Sequence, residues 1–180
     1  MFRPKPDDRA RRVSRRRHWP VLAAILAIGL RSAAASPALT LEQLRQQPDL
    51  TPEHFARCFR DFRFKLGDQL QAPDVFLANQ CGDCDDFACL ADQVLRERKY
   101  TTRLIAVFMD GETHVVCYVQ EVHGYLDYNC RRDTPAVQPS SGDIQDVANR
   151  VAAYFRVPWR SASEFTYQAG HPRFGRIVFH

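Results

Sequence analysis

The sequence predicts an α+β domain, helices packed on an antiparallel sheet. Capped, helix-period segments crowd residues 40–99, while strand-like runs joined by a turn signal follow from residue 102. That order, helices first and then a meander of strands, is the α+β pattern. A chain of 180 residues, 45% of them hydrophobic, is long enough for one domain with a real core.

The elements follow in order. Thr40 before Leu41-Glu42-Gln43-Leu44 opens a short helix, with Gln43 completing a capping box. Thr51-Pro52-Glu53-His54 is a second start, with proline at the first helical position and Phe55, Cys58, Phe59 and Phe62 at helical spacing. Pro73 to Leu77 reads as a third short helix. Asp83 to Lys99 is the clearest helix. Phe87, Leu90, Ala91, Val94 and Leu95 form one apolar stripe, with aspartates at the start and Arg96, Arg98 and Lys99 at the end. Residues 102–108 read as a strand, Asp110-Gly111 as a hairpin turn, and His114–Val119 and Tyr125–Cys130 as two more strands. Residues 135–142 read as a loop. Ile144, Val147, Ala148, Val151 and Ala152 mark another amphipathic helix, and 165–167 and 176–179 read as late strands. Tyr154, Phe155 and Trp159 are expected in the core.

Residues 1–35 read as a signal peptide. They hold nine Arg or Lys against Asp7 and Asp8, then the apolar run Trp19–Leu30, then Ala33-Ala34-Ala35 before Ser36. The run is shorter than the roughly 20 residues of a membrane span, so no span is expected to remain after cleavage. Export to the periplasm or the medium follows, by the Sec route or, from Ser14-Arg15-Arg16, the twin-arginine route. The leader carries the chain's positive balance and residues 36–180, the expected domain, are net acidic, which argues against nucleic acid as a partner. All six cysteines (Cys58, Cys81, Cys84, Cys89, Cys117, Cys130) lie in that domain, and an oxidising compartment permits disulfides among them.

A cysteine nucleophile needs a thiolate, a base within reach and a group to orient the base. Cys84 sits in the first turn of the long helix, where unpaired N–H groups and the dipole favour a thiolate; Asp83, Asp85 and Asp86 oppose it, so an imidazolium partner is required. His114 opens a strand beyond the helix. A hairpin centred on Gln120-Glu121 sets it opposite Asp127, and a shift of one step sets it opposite Asn129; both partners then share its sheet face. A tight turn at His123-Gly124 instead sets Cys117 opposite Cys130 and carries the acid on the order of 20 Å from His114. The sequence leaves these registers open, and all of them turn Cys117 and Cys130 away from His114.

Gly82-Asp83-Cys84-Asp85-Asp86-Phe87-Ala88 resembles the motif G-x-C-x-[DE]-[FY]-[AS] that opens the nucleophile helix of transglutaminase-like, papain-type cysteine proteins, including the bacterial transglutaminase-like cysteine proteinases. Residues 103–107, 113–116 and 125–129 resemble the strands that follow it, and the match runs over roughly residues 73–130. The resemblance implies a papain-like core and acyl transfer on amide or peptide bonds. It makes Cys84 the nucleophile, His114 the base and Asp127 the orienting acid, with Asn129 as the alternative third member and Gln80 as an oxyanion donor. It implies a protein or peptide substrate, hydrolysis ahead of transamidation, and neither metal nor cofactor.

Two other classes compete. Cys81-Gly82-Asp83-Cys84 is a C-x-x-C at a helix start, as in thiol–disulfide redox centres, although Pro73–Gln80 before it reads as helix where such folds carry a strand. A binding module of the same fold without turnover is the other. A zinc site from Cys81, Cys84 and His114 lacks a second C-x-x-C, and aspartates in a helix's first turn need no calcium to explain them.

Overall fold

The first helices form where capping residues satisfy their free N–H groups. In the computed structural model, which describes residues 39–168 and 170–180, α1 (Leu41–Arg45) carries the expected capping box. Gln43 N–H donates to Thr40 Oγ1 (3.1 Å) and Thr40 N–H to Gln43 Oε1 (2.9 Å). Thr51 caps α2 (Pro52–Cys58), and α3 (Pro73–Asn79) also begins on proline. A pair of two-residue strands, β1 (Arg63–Phe64) and β2 (Cys81–Gly82), joins these helices in parallel; neither has a periodic pattern to announce it. The expected signal peptide, residues 1–35, lies outside the described residues.

The long helix α4 (Cys84–Glu97) buries the expected stripe of Phe87, Leu90, Ala91, Val94 and Leu95. It precedes β3 (Thr102–Met109) and β4 (Glu112–Val119), which pair antiparallel around Asp110-Gly111, where Gly111 has φ 79°. Short strands β5 (Gly124–Leu126) and β6 (Val137–Pro139) continue the meander. Helix α5 (Ile144–Phe155) then crosses the sheet, and the hairpin β7 (Trp159–Gln168) and β8 (His171–Phe179) adds to the free side of β3. The sheet order is β6-β5-β4-β3-β7-β8, antiparallel throughout, so the class is α+β.

Strand alternation supplies two cores. Leu104, Ala106, Val115, Cys117 and Val119 pack with α4 and the aromatic cluster of Phe55, Phe59 and Phe76. Ile105, Val107, Val116 and Tyr118 pack with Ile144, Val147, Ala148 and Val151 of α5. Each Val, Ile, Leu or Phe buried so contributes about 1.5–3 kcal/mol. Among the described residues no helix is long and apolar enough to cross a membrane.

Two expectations are corrected. The strand expected over 125–130 ends at Leu126, because Asp127 turns the chain: its Oδ1 accepts the Asn129 N–H (2.8 Å) and its carbonyl the Cys130 N–H (3.1 Å). The loop expected over 135–142 contains β6, which pairs with β5 at the sheet edge. The register is settled by Cys117 opposite Leu126 and Val119 opposite Gly124, around a 3₁₀ turn at Gln120–Val122. Cys117 and Cys130 therefore do not face each other, and the thiols of all six cysteines are free.

Candidate active site

Gly82 is fixed by the space around it. A Cβ there would stand 2.3 Å from Asp86 Oδ2 and 2.8 Å from both Gln71 Nε2 and Phe76 Cδ2. The crowding comes from a buried network. Asp86 accepts the Gln71 backbone N–H (2.7 Å), the Gln71 side-chain amide (2.7 Å) and the Asp83 N–H (3.2 Å). Asp83 Oδ2 accepts the Gly67 N–H (2.8 Å), and Gly82 carbonyl accepts the Lys65 N–H (2.8 Å). The aspartates of the motif thus tie residues 65–71 to the head of α4. Cys84 is the first residue of that helix, so its N–H has no carbonyl partner within the helix and can serve a developing oxyanion.

His114 lies on the α5 side of β4 and is 2% exposed. Its Nε2 bonds Asp127 Oδ1 at 3.0 Å, and Asp127 is equally buried. Continued past Leu126, the observed register sets Asp127 opposite Val116, diagonal to His114 on one face, a separation the two side chains can span. The Phe155 ring packs on the imidazole with centroids 4.8 Å apart. Burial alone depresses the imidazolium, but the Asp127 charge and hydrogen bond, joined by hydrogen bonding to Cys84, push the His114 pKa up to about 10. With Nε2 held by Asp127, Nδ1 is the ring nitrogen not bonded to the carboxylate.

The thiol and the ring share one cavity because β5 is short. It pairs with Cys117–Val119 only, so Glu112–Val116 has no ladder neighbour on that side. A cavity of about 560 Å³ opens there, lined by Cys84, His114, Asn129 and Phe155, with Phe64 and Leu66 on one wall and Gly111, Glu112 and Thr113 on the other. Cys84, His114 and Asp127 are therefore brought together. Asn129 lines the cavity and gives its backbone N–H to Asp127, with no hydrogen bond to the ring among the described residues. Gln80 does not join them. It is the exposed left-handed cap of α3 (φ 49°), its carbonyl accepts the Arg63 N–H, and it is absent from the cavity lining.

Asp83, Asp85 and Asp86 each offer an oxygen within 4.8 Å of the others, and Asp83 Oδ1 is buried with no hydrogen-bond partner among the described residues. Burial and the Asp83 and Asp86 carboxylates push the Asp85 pKa up to about 7. Among the described residues this is the sole cluster of metal-ligating side chains in mutual reach, so the zinc set of Cys81, Cys84 and His114 is not assembled. An all-oxygen set is the donor chemistry of a hard cation such as Ca²⁺.

Several contributors carry no sequence signal of their own. Phe155, expected in the core, borders the cavity and covers the imidazole. Arg131 stands over the Tyr128 ring (3.8 Å) and donates to the carbonyls of Phe59, Phe62 and Tyr128, while Tyr128 Oη donates to the Arg63 carbonyl (2.8 Å). Together they fasten the Asp127 turn to the α2–β1 segment. Compared with known proteins, the chain matches no family model, no curated protein and no solved structure.

Proposed function

We propose that the protein is an exported cysteine hydrolase of the transglutaminase-like, papain-type kind, a peptidase or amidase acting through Cys84, His114 and Asp127. The observation that carries this reading is the imidazole itself. It is buried, bonded by Asp127 through Nε2, and lines the same open cavity as Cys84. A histidine kept for packing alone has no need of a buried carboxylate partner beside a cavity that it shares with a thiol.

The chemistry is acyl transfer. The Cys84 thiolate adds to an amide carbonyl, and the oxyanion is met by the Cys84 N–H. The tetrahedral adduct collapses as imidazolium His114 gives its proton to the departing nitrogen. The amine leaves and a thioester remains. Neutral His114 then takes a proton from water, whose hydroxyl attacks the thioester to release the acid and regenerate the thiol. An amine in place of that water gives transamidation. Asp127 holds the ring and stabilises its charged form throughout.

The test is turnover and labelling of the purified protein. Wild type should cleave peptide or amide substrates and take up iodoacetamide at Cys84 near neutral pH. Cys84→Ala should lose both, while Cys81→Ser should keep them. Equal loss in Cys81→Ser would transfer the assignment to a C-x-x-C redox centre, and labelling without turnover of any substrate would favour a binding module.

A further inference from the structure

The two walls of the Cys84 cavity differ in chemistry. Phe64 and Leu66 stand on one side, 58% and 76% exposed although large and apolar. They are not loose. β1 pairs with β2 directly before Cys84, the Lys65 N–H is bonded to Gly82, and the Gly67 N–H is bonded to Asp83. Period-two alternation turns residues 64 and 66 to one side of the extended segment, so both flank the thiol. Exposed apolar side chains held beside a nucleophile gain by being covered.

Glu112 lies on the other wall, two residues before His114 on β4. The two side chains share a sheet face about 7 Å apart along the strand. Glu112 enters no salt bridge among the described residues. His114 protonates the departing nitrogen, so the part of a substrate that leaves lies on the His114 side, next to Glu112. The part that becomes the thioester extends to the Cys84 side, toward Phe64 and Leu66.

Building on the hydrolase reading, we infer that the substrate is a peptide with a large apolar side chain in its acyl portion and a lysine or arginine in its leaving portion. Phe64 and Leu66 select the first and Glu112 the second. The apolar contact gives tight placement beside the thiol, and the carboxylate orients the cleaved bond by charge.

The full-length protein is incubated with a proteome-derived peptide library, and cut positions are read by mass spectrometry. kcat/KM is then measured on quenched peptides that differ from the best sequence at one position. Leu or Phe in the acyl portion should exceed Asp by about 10- to 100-fold. Lys in the leaving portion should exceed Glu by about fivefold. Glu112→Gln should flatten the charge preference and Glu112→Lys should reverse it, both retaining the apolar preference; Leu66→Asp should do the converse. Cleavage that depends on Cys84 but lacks these preferences, or keeps the lysine preference in Glu112→Lys, overturns the inference and leaves the hydrolase reading standing. No cleavage of the library by a protein whose Cys84 is alkylated near neutral pH overturns the inference, and the hydrolase reading falls with it when simple amide substrates are not turned over either.

Discussion

At the scale of the residue, His114 decides what the site can do. Its burial works against a charged ring, and Asp127 outweighs that burial, so the imidazolium is the favoured form across the neutral range. An activity that requires imidazolium should therefore hold into alkaline pH and fall as pH rises through about 10. A pH profile of kcat/KM measures this, and a basic limb near the ordinary histidine value of about 6.5 would contradict it. Asp127→Asn should move the limb downward, because the neutral amide no longer favours the charged ring. His114→Ala should cost about 10²–10⁴-fold in kcat, the usual contribution of a positioned acid–base group. Asn129→Ala removes no side-chain bond to the ring and should cost far less, so the pair of variants separates the two candidate third members.

At the scale of the element, the head of α4 is a joint between a helix and residues 65–71. Gly82 allows that joint because Asp86 and Gln71 occupy the space a Cβ would need. Gly82→Ala should destabilise by about 1–3 kcal/mol, the usual cost of overfilling, read as a lower denaturation midpoint. It should also reduce turnover, since the displaced carboxylate holds the nucleophile turn. The joint also marks what was legible in the sequence. The stripe on α4, the five buried positions of α5 and the capping box of α1 all followed from local spacing and match the structure. Cys84 was legible because it opens α4, and His114 because it lies in the first half of β4, just past the Asp110-Gly111 turn signal. The lengths of β5 and β6 were not, because they are set by the Asx turn at Asp127 and by edge pairing between short segments. The same turn hid the choice between Asp127 and Asn129: the register alone points His114 at Asn129, and only the bend past Leu126 brings the acid to the ring. Phe155 stayed hidden because its stacking on His114 joins the end of α5 to the start of β4, 41 positions apart in the chain.

At the scale of the whole molecule, two ionisable groups, the buried His114 and the half-buried Asp85, bias folding in the same direction. His114 is raised from about 6.5 to about 10, so the folded state holds its proton more tightly than the unfolded chain does. The stabilisation this brings is complete below pH 6.5 and is lost as pH rises to about 10. Asp85 is raised from 3.8 to about 7 by burial first and its neighbouring carboxylates second, so its folded form also retains a proton the unfolded chain gives up. Its ionisation in the native fold carries a penalty that develops between pH 3.8 and 7. Stability rises with pH only where the unfolded state binds more protons, and here both groups bind more in the native state. These two groups should therefore make Tm fall as pH is raised from 5 to 10, in an earlier step owed to Asp85 and a later one owed to His114. The later step should amount to a few kcal/mol, on the order of the linked shift. Asp85→Asn should remove the earlier step and raise Tm at pH 8 relative to wild type while leaving it near wild type at pH 4. Asp127→Asn should shrink the later step, since the ring then loses the charge that holds its proton. Calorimetric scans of the three proteins across this range measure both steps, and a wild-type Tm that climbs steadily from pH 5 to 10 would show that neither group titrates in the native fold as its surroundings dictate.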